Sequence, residues 1–389
     1  MSGYNNKIRM GMVGGGQGAF IGAVHRAASA LDGEIQLVCG AFSSSLDNCK
    51  ATGEMLSLDP ARCYATYQEM FDEEAKKPAD ERMQFVSIVT PNHLHFPVAK
   101  AAIEAGFHVM SDKPATFTLD EAIALKAVLD KHEVLYGLTH TYTGYPLVKE
   151  AQQRIVQGEL GEITKIIVEY SQGWLSEAPG EDNKQAAWRL DPKRAGVSCC
   201  MGDIGVHAAN LAEYVSGLEI TELCADLQPV VPGRELDDDG NVLLRFNNGA
   251  KGVLIASQIS VGEENNLSLR IYGTKAGLEW RQEEPNTLTL KYNDQARQVI
   301  RTGVGAFTPK ASSAMRTPAG HPEGYLEAFA NIYLDFVKQI RKFEGTGSDT
   351  LSEVPGIEDA IRGMAFIENC VAATRANEKW VPFKLENIL

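Results

Sequence analysis

The chain has 389 residues, of which 44% are hydrophobic and 23% are charged, and these fractions are typical of folded globular proteins. This length exceeds the size at which a single hydrophobic core usually stops growing, so the sequence predicts two domains. The formal net charge of -14 disfavours nucleic-acid and membrane partners, because both polyanions would be repelled at long range.

The cysteine pattern and the hydropathy of the sequence indicate the cellular compartment in which the protein is expected. The seven cysteines are scattered without a CxxC pair, which favours neither a disulfide framework nor a zinc site. The first residues lack the apolar stretch of a signal peptide. The sequence also contains no run of about eighteen apolar residues, the length needed to span a bilayer. We therefore expect a soluble, cytoplasmic protein, and the eight histidines indicate no metal constellation.

Apolar runs and helical patterns alternate regularly through the first third of the chain. The predicted strands are 8–13, 35–42, 85–89, 107–110 and 134–139, and the predicted helices are 21–31, 46–52, 96–105 and 119–131. Such alternation implies right-handed crossovers and a parallel sheet covered on both faces. Residues 1–140 are therefore predicted to form a doubly wound α/β domain.

The pattern changes after Gly158-Glu159-Leu160-Gly161. Strands are predicted at 163–170, 223–231, 241–246, 250–259, 267–272 and 288–292, and helices at 324–343 and 357–377. Short turns between these strands favour a mostly antiparallel, open sheet. Residues 141–389 are thus predicted to form an α+β domain, whose last helix is expected to pack back on the first domain.

A glycine-rich turn, Gly14-x-Gly16-x-x-Ala19, follows the first strand and opens the first helix. In that context the backbone can approach a pyrophosphate closely and the helix N-terminus offers N–H groups to it. The alternative is a merely tight strand-to-helix turn. The surrounding strand–helix–strand pattern favours dinucleotide binding.

The end of the second strand carries Ser43 and Ser44, where an acidic residue would mark NAD binding. No arginine lies between Ser43 and Thr52 to hold a 2′-phosphate. The Ser43 and Ser44 hydroxyls could form hydrogen bonds with either cofactor. We expect NAD as the cofactor, with NADP as the alternative.

Two further strand ends carry candidate residues. Asn92, in Thr90-Pro91-Asn92, is equally well interpreted as a cofactor contact or as a cap of the following helix. His93 and His95 are spaced wrongly for a metal pair. Lys113, between Asp112 and Pro114, is either a solvated charge or a donor to a substrate oxygen, and its place at the carboxyl edge favours the second interpretation.

Asp203 and His207 lie four residues apart in a predicted helix over 203–215, so that both fall on one face. A carboxylate and an imidazole together can orient a substrate hydroxyl and remove its proton. A helix cap plus a packed histidine explains the spacing equally well. Trp188-Arg189 and the segment His321 to Tyr325 could line a polyol pocket, although each alone is more often a surface feature.

Taken in order, these segments resemble the family named for glucose-fructose oxidoreductase and inositol dehydrogenase, also called Gfo/Idh/MocA. The likeness includes the stretches 89–95 and 102–114, Gly158 to Gly161, Asp203-x-Gly205-x-His207 and the turn 273–277. The resemblance implies a Rossmann domain and hydride transfer between a nicotinamide cofactor and a ring secondary hydroxyl of an inositol or a glucose-like sugar.

The resemblance also implies roles. Lys113 would contact the reacting hydroxyl and the nicotinamide ribose, Asp203 would orient the substrate, and His207 would be the general acid/base. The expected cofactor-binding residues are Gly14, Gly16, Gln17, Gly18, Ala19, Ser43, Ser44, Thr90, Pro91, Asn92, His95, Asp112 and Lys113. The expected substrate-binding residues are Tyr142, Trp188, Arg189, His321 and Tyr325.

Three positions depart from the family's pattern: Asp112 replaces a glutamate, Phe42-Ser43 replaces an acidic residue and proline, and Thr143 stands where arginine is common. The sequence also leaves open an NAD-dependent glycosidase acting through a 3-keto intermediate, and a non-catalytic sugar or dinucleotide sensor. An exposed apolar sheet face would favour self-association, so a homodimer or homotetramer is expected.

Overall fold

The computed structural model describes residues 7–177, 184–348 and 351–386. The chain divides into two compact units, one of Met1–Thr139 with Phe329–Ala360, the other of His140–Ala328 with Ile361–Leu389. The sequence-based division after residue 140 assigned everything beyond it to the second domain, whereas the structure groups Phe329–Ala360 with the first unit.

Five parallel strands form the sheet described in the first unit, in the order β2-β1-β3-β4-β5. The strands are β1 Ile8–Gly14, β2 Ile35–Ala41, β3 Phe85–Val89, β4 His108–Ser111 and β5 Tyr136–Leu138. The helices between them are α1 Phe20–Ala30, α2 Leu46–Met55, α3 Tyr67–Ala75, α4 His95–Glu104 and α5 Leu119–Leu129. The predicted doubly wound parallel sheet is confirmed, and its strand ends lie along one edge.

Local sequence explains where several of these helices begin and end. The Thr118 side chain accepts the Glu121 N–H at 3.2 Å and so caps the N-terminus of α5. Gly106, with a φ of 84°, occupies the C′ position after α4, where glycine tolerates the left-handed backbone. Helix α3 was not predicted, and its buried Glu74 accepts hydrogen bonds from Arg62 and Tyr64, contacts that no local pattern shows.

In the second unit, nine strands among the described residues form one sheet, in the order β13-β12-β11-β10-β6-β9-β8-β7-β14. They are β6 Ile163–Ser171, β7 Ile220–Gln228, β8 Asp239–Phe246, β9 Lys251–Ser257, β10 Asn266–Gly273, β11 Gly277–Arg281, β12 Thr287–Lys291, β13 Gln298–Arg301 and β14 Val381–Pro382. The pairs are antiparallel except for β6 with β9, which is parallel. The predicted mostly antiparallel sheet is therefore confirmed.

Seven further helices lie in the described part of the chain. They are α6 Pro146–Val156, α7 Lys184–Arg189, α8 Pro192–Ala195, α9 Val206–Ser216, α10 Pro309–Ser312, α11 Tyr325–Phe343 and α12 Ile357–Arg375. Among them, α6 and α9 pack on the sheet of the second unit. A π-helical turn, Met201–Gly205, precedes α9. Buried side chains of the sheet, among them Ile166, Leu254 and Trp280, form the core of the second unit with α6 and α9.

Helix α11 belongs to the second unit up to Ala328 and to the first unit from Phe329 onward. In the first unit its Phe336 ring lies 5.6 Å from Phe85 of β3, edge to face. A segment remote in sequence thus completes the core of the first unit. Along the described part of the chain, none of the helices has the length and apolar character needed to cross a bilayer.

Candidate functional site

The turn after β1 has a backbone that only small residues fit. Gly14 has a φ of 86°, and a Cβ placed on it would lie 2.9 Å from the Val89 carbonyl oxygen. A Cβ on Gly16 would lie 2.4 Å from the Asn48 side-chain oxygen. The predicted glycines are therefore required by close approach as well as by backbone conformation.

Helix α1 begins directly against this turn. A Cβ on Gly22, in the first turn of α1, would lie 2.3 Å from Gly15 Cα. The N-cap residue Ala19 makes no side-chain capping hydrogen bond, so the first backbone N–H groups of α1 are not capped by that side chain. A glycine-lined turn leading into such a helix start fits the pyrophosphate of a dinucleotide.

Helix α2 holds the same turn from outside, which the sequence analysis missed. Asn48 donates to the Gln17 carbonyl at 3.2 Å, and the Gln17 N–H donates to the Thr52 hydroxyl at 3.1 Å. Ser43 accepts the Ser45 N–H at 3.1 Å, so its hydroxyl shapes the end of β2. The polar residues Asn48 and Thr52, in the first two turns of α2, were the sequence signal for these contacts.

The strand ends of β3 and β4 are joined through His95. Its Nδ1 lies 2.6 Å from the Pro114 carbonyl oxygen and its Nε2 lies 2.8 Å from the Thr90 carbonyl oxygen. Burial lowers the pKa of this imidazole. His95 thus braces the turn, and its predicted contact with the cofactor stays a prediction.

Asn92 is buried at the start of a short 3₁₀ turn whose N-cap is Pro91, and α4 is capped by Leu94. The interpretation of Asn92 as the cap of the following helix is therefore wrong, because neither helix start uses its side chain as a cap. Its predicted cofactor contact remains untested.

Asp112 is held by one of its carboxylate oxygens. Oδ1 accepts the Lys113 backbone N–H at 2.9 Å and the Thr139 hydroxyl at 2.7 Å, and His25 Nε2 lies 3.9 Å away. Burial acts to raise the pKa of this carboxyl, but the neighbouring His25, then Lys113 and the Thr139 hydroxyl, outweigh it and hold the pKa well below its usual range. Asp112 is thus a carboxylate at neutral pH, directly beside Lys113.

In the second unit, Asp203 lies in the π-helical turn Met201–Gly205, and α9 begins only at Val206. The predicted α-helix over 203–215 is therefore wrong in its first turn. Asp203 Oδ2 accepts hydrogen bonds from Arg189 Nε at 3.1 Å and from Gln258 Nε2 at 2.8 Å. π-Helical turns are rare in proteins, and those that occur frequently lie at functional sites.

The predicted pair Trp188-Arg189 joins this carboxylate. The Arg189 guanidinium lies over the Trp188 ring, 4.3 Å from its centroid, while its Nε binds Asp203. Stacking and charge together fix the planar guanidinium. Gln258, which comes directly after β9, was missed because nothing in its local sequence marks it.

Asp237 holds the chain that leads into the π-helical turn. Its carboxylate accepts hydrogen bonds from the Ser198 hydroxyl at 2.9 Å and from the Cys199 and Met201 N–H groups, each at 3.1 Å. Burial raises the pKa of Asp237. From sequence alone, the three consecutive aspartates at 237–239 resemble a solvent-exposed turn. The sequence therefore does not indicate that Asp237 is a buried hydrogen-bond acceptor.

His207 lies on α9 within a group of aromatic rings. Its Nδ1 is 3.4 Å from His140 Nδ1, and its ring is 4.9 Å from the Tyr142 ring in an edge-to-face arrangement. The Tyr142 and Tyr170 hydroxyls form a hydrogen bond, and Tyr170 donates to Asn265 at 2.7 Å. Burial raises the pKa of both tyrosines, so they stay protonated at neutral pH.

Two candidates from the segment 321–325 have different surroundings. The Tyr325 ring lies 6.4 Å from the Tyr142 ring, so it joins the aromatic group. His321 is exposed, with its Nδ1 3.3 Å from the Ala319 carbonyl oxygen. Buried Glu323, which the sequence analysis did not single out, accepts the Arg316 and Thr317 N–H groups and holds this loop.

The structure thus places the candidates at four positions, two in each unit. The first unit contains the glycine turn and the Asp112–Lys113 strand end; the second contains Asp203 with Arg189 and His207 with Tyr142. Within the described ranges, no three histidine, cysteine, aspartate or glutamate side chains are arranged to hold a metal ion.

Both units match known proteins. Residues 8–140 match an oxidoreductase family with a NAD-binding Rossmann fold, and residues 148–279 match the GFO/IDH/MocA C-terminal domain. The chain is 35% identical to YfiI, an uncharacterised oxidoreductase of Bacillus subtilis, over 97% of each chain. It is 29% identical to levoglucosan dehydrogenase of Pseudarthrobacter phenanthrenivorans, over 78% of this chain and 80% of that protein.

A solved structure shows the same fold along almost the whole chain. The crystal structure of an inositol dehydrogenase homolog from Azotobacter vinelandii, complexed with NADH and myo-inositol, is similar with a TM-score of 0.90. The two proteins are 35% identical, and the match covers 97% of this chain and 98% of that one. The chain, with its NAD-binding Rossmann domain, therefore belongs to the Gfo/Idh/MocA family of oxidoreductases.

Proposed function

We propose that the protein is an NAD-dependent dehydrogenase that oxidises a ring secondary hydroxyl of a cyclic polyol, with an inositol as the first candidate and glucose-like sugars as the second. The observation that carries this proposal is His207, a buried imidazole on α9 whose ring is fixed by His140 and Tyr142. The inositol dehydrogenase homolog, 35% identical along 97% of the chain, supports the substrate class.

The first unit supplies the coenzyme site in this proposal. Gly14, Gly16 and Gly18 form a turn that a Cβ would block or strain, next to the start of α1. Asn92 and Asp112 stand at the ends of β3 and β4, along the same edge of the sheet. Bound NAD supplies the nicotinamide carbon that accepts the hydride.

His207 is assigned the transfer of the hydroxyl proton. An imidazole changes charge in the physiological range, so it can take the proton of an alcohol and return it in the reverse reaction. The His140 nitrogen at 3.4 Å and the Tyr142 ring hold the imidazole in one orientation. Burial of the ring excludes competing water from the proton transfer.

Asp203 is assigned the orientation of the substrate. Its Oδ2 is engaged by Arg189 and Gln258, so the carboxylate keeps a fixed direction instead of rotating. A fixed carboxylate accepts hydrogen bonds from polyol hydroxyls in one geometry, which lowers the entropy cost of reaching the reactive arrangement.

Lys113 is assigned the donation of a hydrogen bond to the reacting oxygen. Its backbone N–H is bound to Asp112 Oδ1 at 2.9 Å, which fixes where the side chain starts. An ammonium group stabilises the negative charge that develops on the carbinol oxygen when its proton leaves.

The proposal is tested by an absorbance screen for reduced nicotinamide with inositols, hexoses and glycosides, run with NAD and with NADP. Oxidation of at least one cyclic polyol with NAD is expected. Release of aglycone from a glycoside without net NADH would favour the glycosidase, and coenzyme binding without oxidation of any compound would favour the sensor.

We further propose that the protein is a cytoplasmic homodimer or homotetramer. On the sheet of the second unit, Ile167, Val253 and Ile255 alternate with buried residues and remain partly exposed, and Leu243 is 42% exposed. Such apolar positions favour burial against another surface. A monomeric mass in light scattering would contradict self-association.

A further inference from the structure

Five segments of the first unit bring polar side chains together in its interior. His25 comes from α1, Ser87 from β3 and Tyr333 from α11, and each is at most 1% exposed. Asp112 and Thr139 follow the ends of β4 and β5. Burying polar groups costs free energy unless they form hydrogen bonds, so the side chains of this cluster are expected to be paired with one another.

The hydrogen bonds converge on His25. Its Nδ1 lies 2.6 Å from the Tyr333 hydroxyl oxygen and 3.3 Å from the Ser87 oxygen, and those two oxygens are 2.9 Å apart. The other ring nitrogen, Nε2, lies 3.9 Å from Asp112 Oδ1. At that distance the contact with Asp112 is electrostatic and longer than a hydrogen bond.

The charge of Asp112 favours one direction for these bonds. If Nδ1 were the only protonated nitrogen, the lone pair of Nε2 would face a carboxylate, which is repulsive. If Tyr333 donates its O–H to Nδ1, then Nε2 carries a proton and points a positive dipole at Asp112. Burial raises the pKa of Tyr333, which keeps that hydroxyl a donor.

The carboxylate is held on one side only. Thr139, the Lys113 N–H and His25 all approach Oδ1, and the hydrogen bonds and ion pairs of the described residues include none to Oδ2. A carboxylate anchored by one oxygen keeps the other available for a ligand hydroxyl. Asp112 lies at the sheet edge that carries the glycine turn.

We propose that His25, oriented by Tyr333 and Ser87, is a positioning residue that fixes the Asp112 carboxylate so that Oδ2 accepts a hydrogen bond from a ribose hydroxyl of the bound coenzyme. The inference rests on the proposed function in placing the coenzyme beside Asp112. His25 acts through Asp112 and does not itself contact the coenzyme.

Two replacements of His25 separate its two functions. In His25→Gln the amide nitrogen occupies the place of Nε2 and keeps a donor toward Asp112. In His25→Asn the amide occupies the place of Nδ1, keeps the bond to Tyr333 and loses the donor toward Asp112. We expect His25→Asn to weaken NAD binding about tenfold and His25→Gln to restore most of that loss.

The decisive experiment is a double-mutant cycle on NAD affinity, measured by calorimetry on the full chain without substrate. The proteins are wild type, His25→Asn, Asp112→Asn and the double variant. If His25 acts through Asp112, adding His25→Asn to Asp112→Asn changes the affinity no further. An equal loss in both backgrounds, or no loss from His25→Asn or from Asp112→Asn alone, would overturn the proposal.

Folding and substrate are controlled separately. Tyr333→Phe keeps His25 in place and removes only the orienting hydroxyl, so we expect about a threefold weaker NAD affinity, and it serves if His25→Asn does not fold. Tyr67→Phe, on α3 of the same unit, is the matched control and should leave the affinity unchanged. Because no substrate is present, failure to oxidise any polyol would contradict the proposed function without affecting this result.

Discussion

The glycine turn after β1 and the π-helical turn before α9 place functional groups by different means. The glycine turn depends on its backbone, because Gly14 and Gly16 lie where a Cβ would clash with neighbouring atoms. The turn leads into the first backbone N–H groups of α1. The π-helical turn works through side chains, because Asp203 is fixed by Arg189 and Gln258, which come from elsewhere in the chain. Coenzyme binding should therefore depend on conformation, and substrate chemistry on individual charges.

The largest expected effect separates chemistry from binding. His207→Ala and Lys113→Ala should each lower kcat by about a hundredfold to ten-thousandfold, because proton transfer and charge stabilisation are lost. NAD affinity measured by calorimetry should survive in His207→Ala. Near-normal turnover in either variant would show that its assigned role is wrong.

The backbone-built region should be sensitive to a single methyl group. Gly14→Ala adds a Cβ at a φ of 86°, 2.9 Å from the Val89 carbonyl oxygen, and should weaken NAD binding by more than about tenfold. Gly106→Ala is the matched control, because its φ is 84° but nothing lies within 4 Å of the added Cβ.

We expect the Gly106 control to lose about 1 kcal/mol of unfolding free energy and no NAD affinity. Equal NAD affinities in the two variants would mean that the close approach at Gly14 does not matter for the coenzyme. That result would contradict the view that coenzyme binding depends on the backbone conformation of the glycine turn.

The side-chain-built region should be sensitive to geometry at constant charge. Arg189→Lys keeps a cation but loses the planar stack on Trp188 and the Nε bond to Asp203, so kcat/KM for the polyol should fall about tenfold. Arg194→Lys, at an exposed position on the next helix, is the control and should behave as wild type. A normal kcat/KM in Arg189→Lys would mean that Asp203 is held by other groups.

The smallest effect at neutral pH concerns stability. Burial lowers the pKa of His108 to about 4, and the neutral ring accepts the Leu135 N–H at 3.0 Å through Nδ1. Because the unfolded chain binds this proton more readily, stability should be complete above pH about 6.5 and fall as the pH drops toward 4. His108→Asn, which keeps an acceptor near Nδ1, should flatten that part of the profile in urea unfolding at pH 7 and 5. An unchanged slope would assign the acid sensitivity to other groups, among them His95.

The sequence was most informative where a function depends on local backbone. The spacing of Gly14, Gly16 and Ala19 after an apolar strand is readable without a structure, and so is the position of Lys113 after β4. The fold class followed from strand–helix alternation for the same reason. Each of these signals lies within a few neighbouring residues.

The rest depends on contacts between distant segments. Gln258 is 55 residues from Asp203, and Tyr333 is 308 residues from His25, so no local pattern shows either contact. The π-helical turn was missed because a spacing of four fits an ordinary helix equally well. The short strands β11 and β13 were missed because five and four residues carry little alternation.

The proposed function depends above all on His207, which we propose transfers a proton during NAD-dependent oxidation of a cyclic polyol. The most direct test is the formation of reduced nicotinamide from NAD and myo-inositol, followed by absorbance with wild type and with His207→Ala. We expect sustained NADH formation by the wild type and almost none by the variant, with NAD affinity retained. Equal rates in the two proteins, or no oxidation of any inositol or sugar by the wild type, would contradict it.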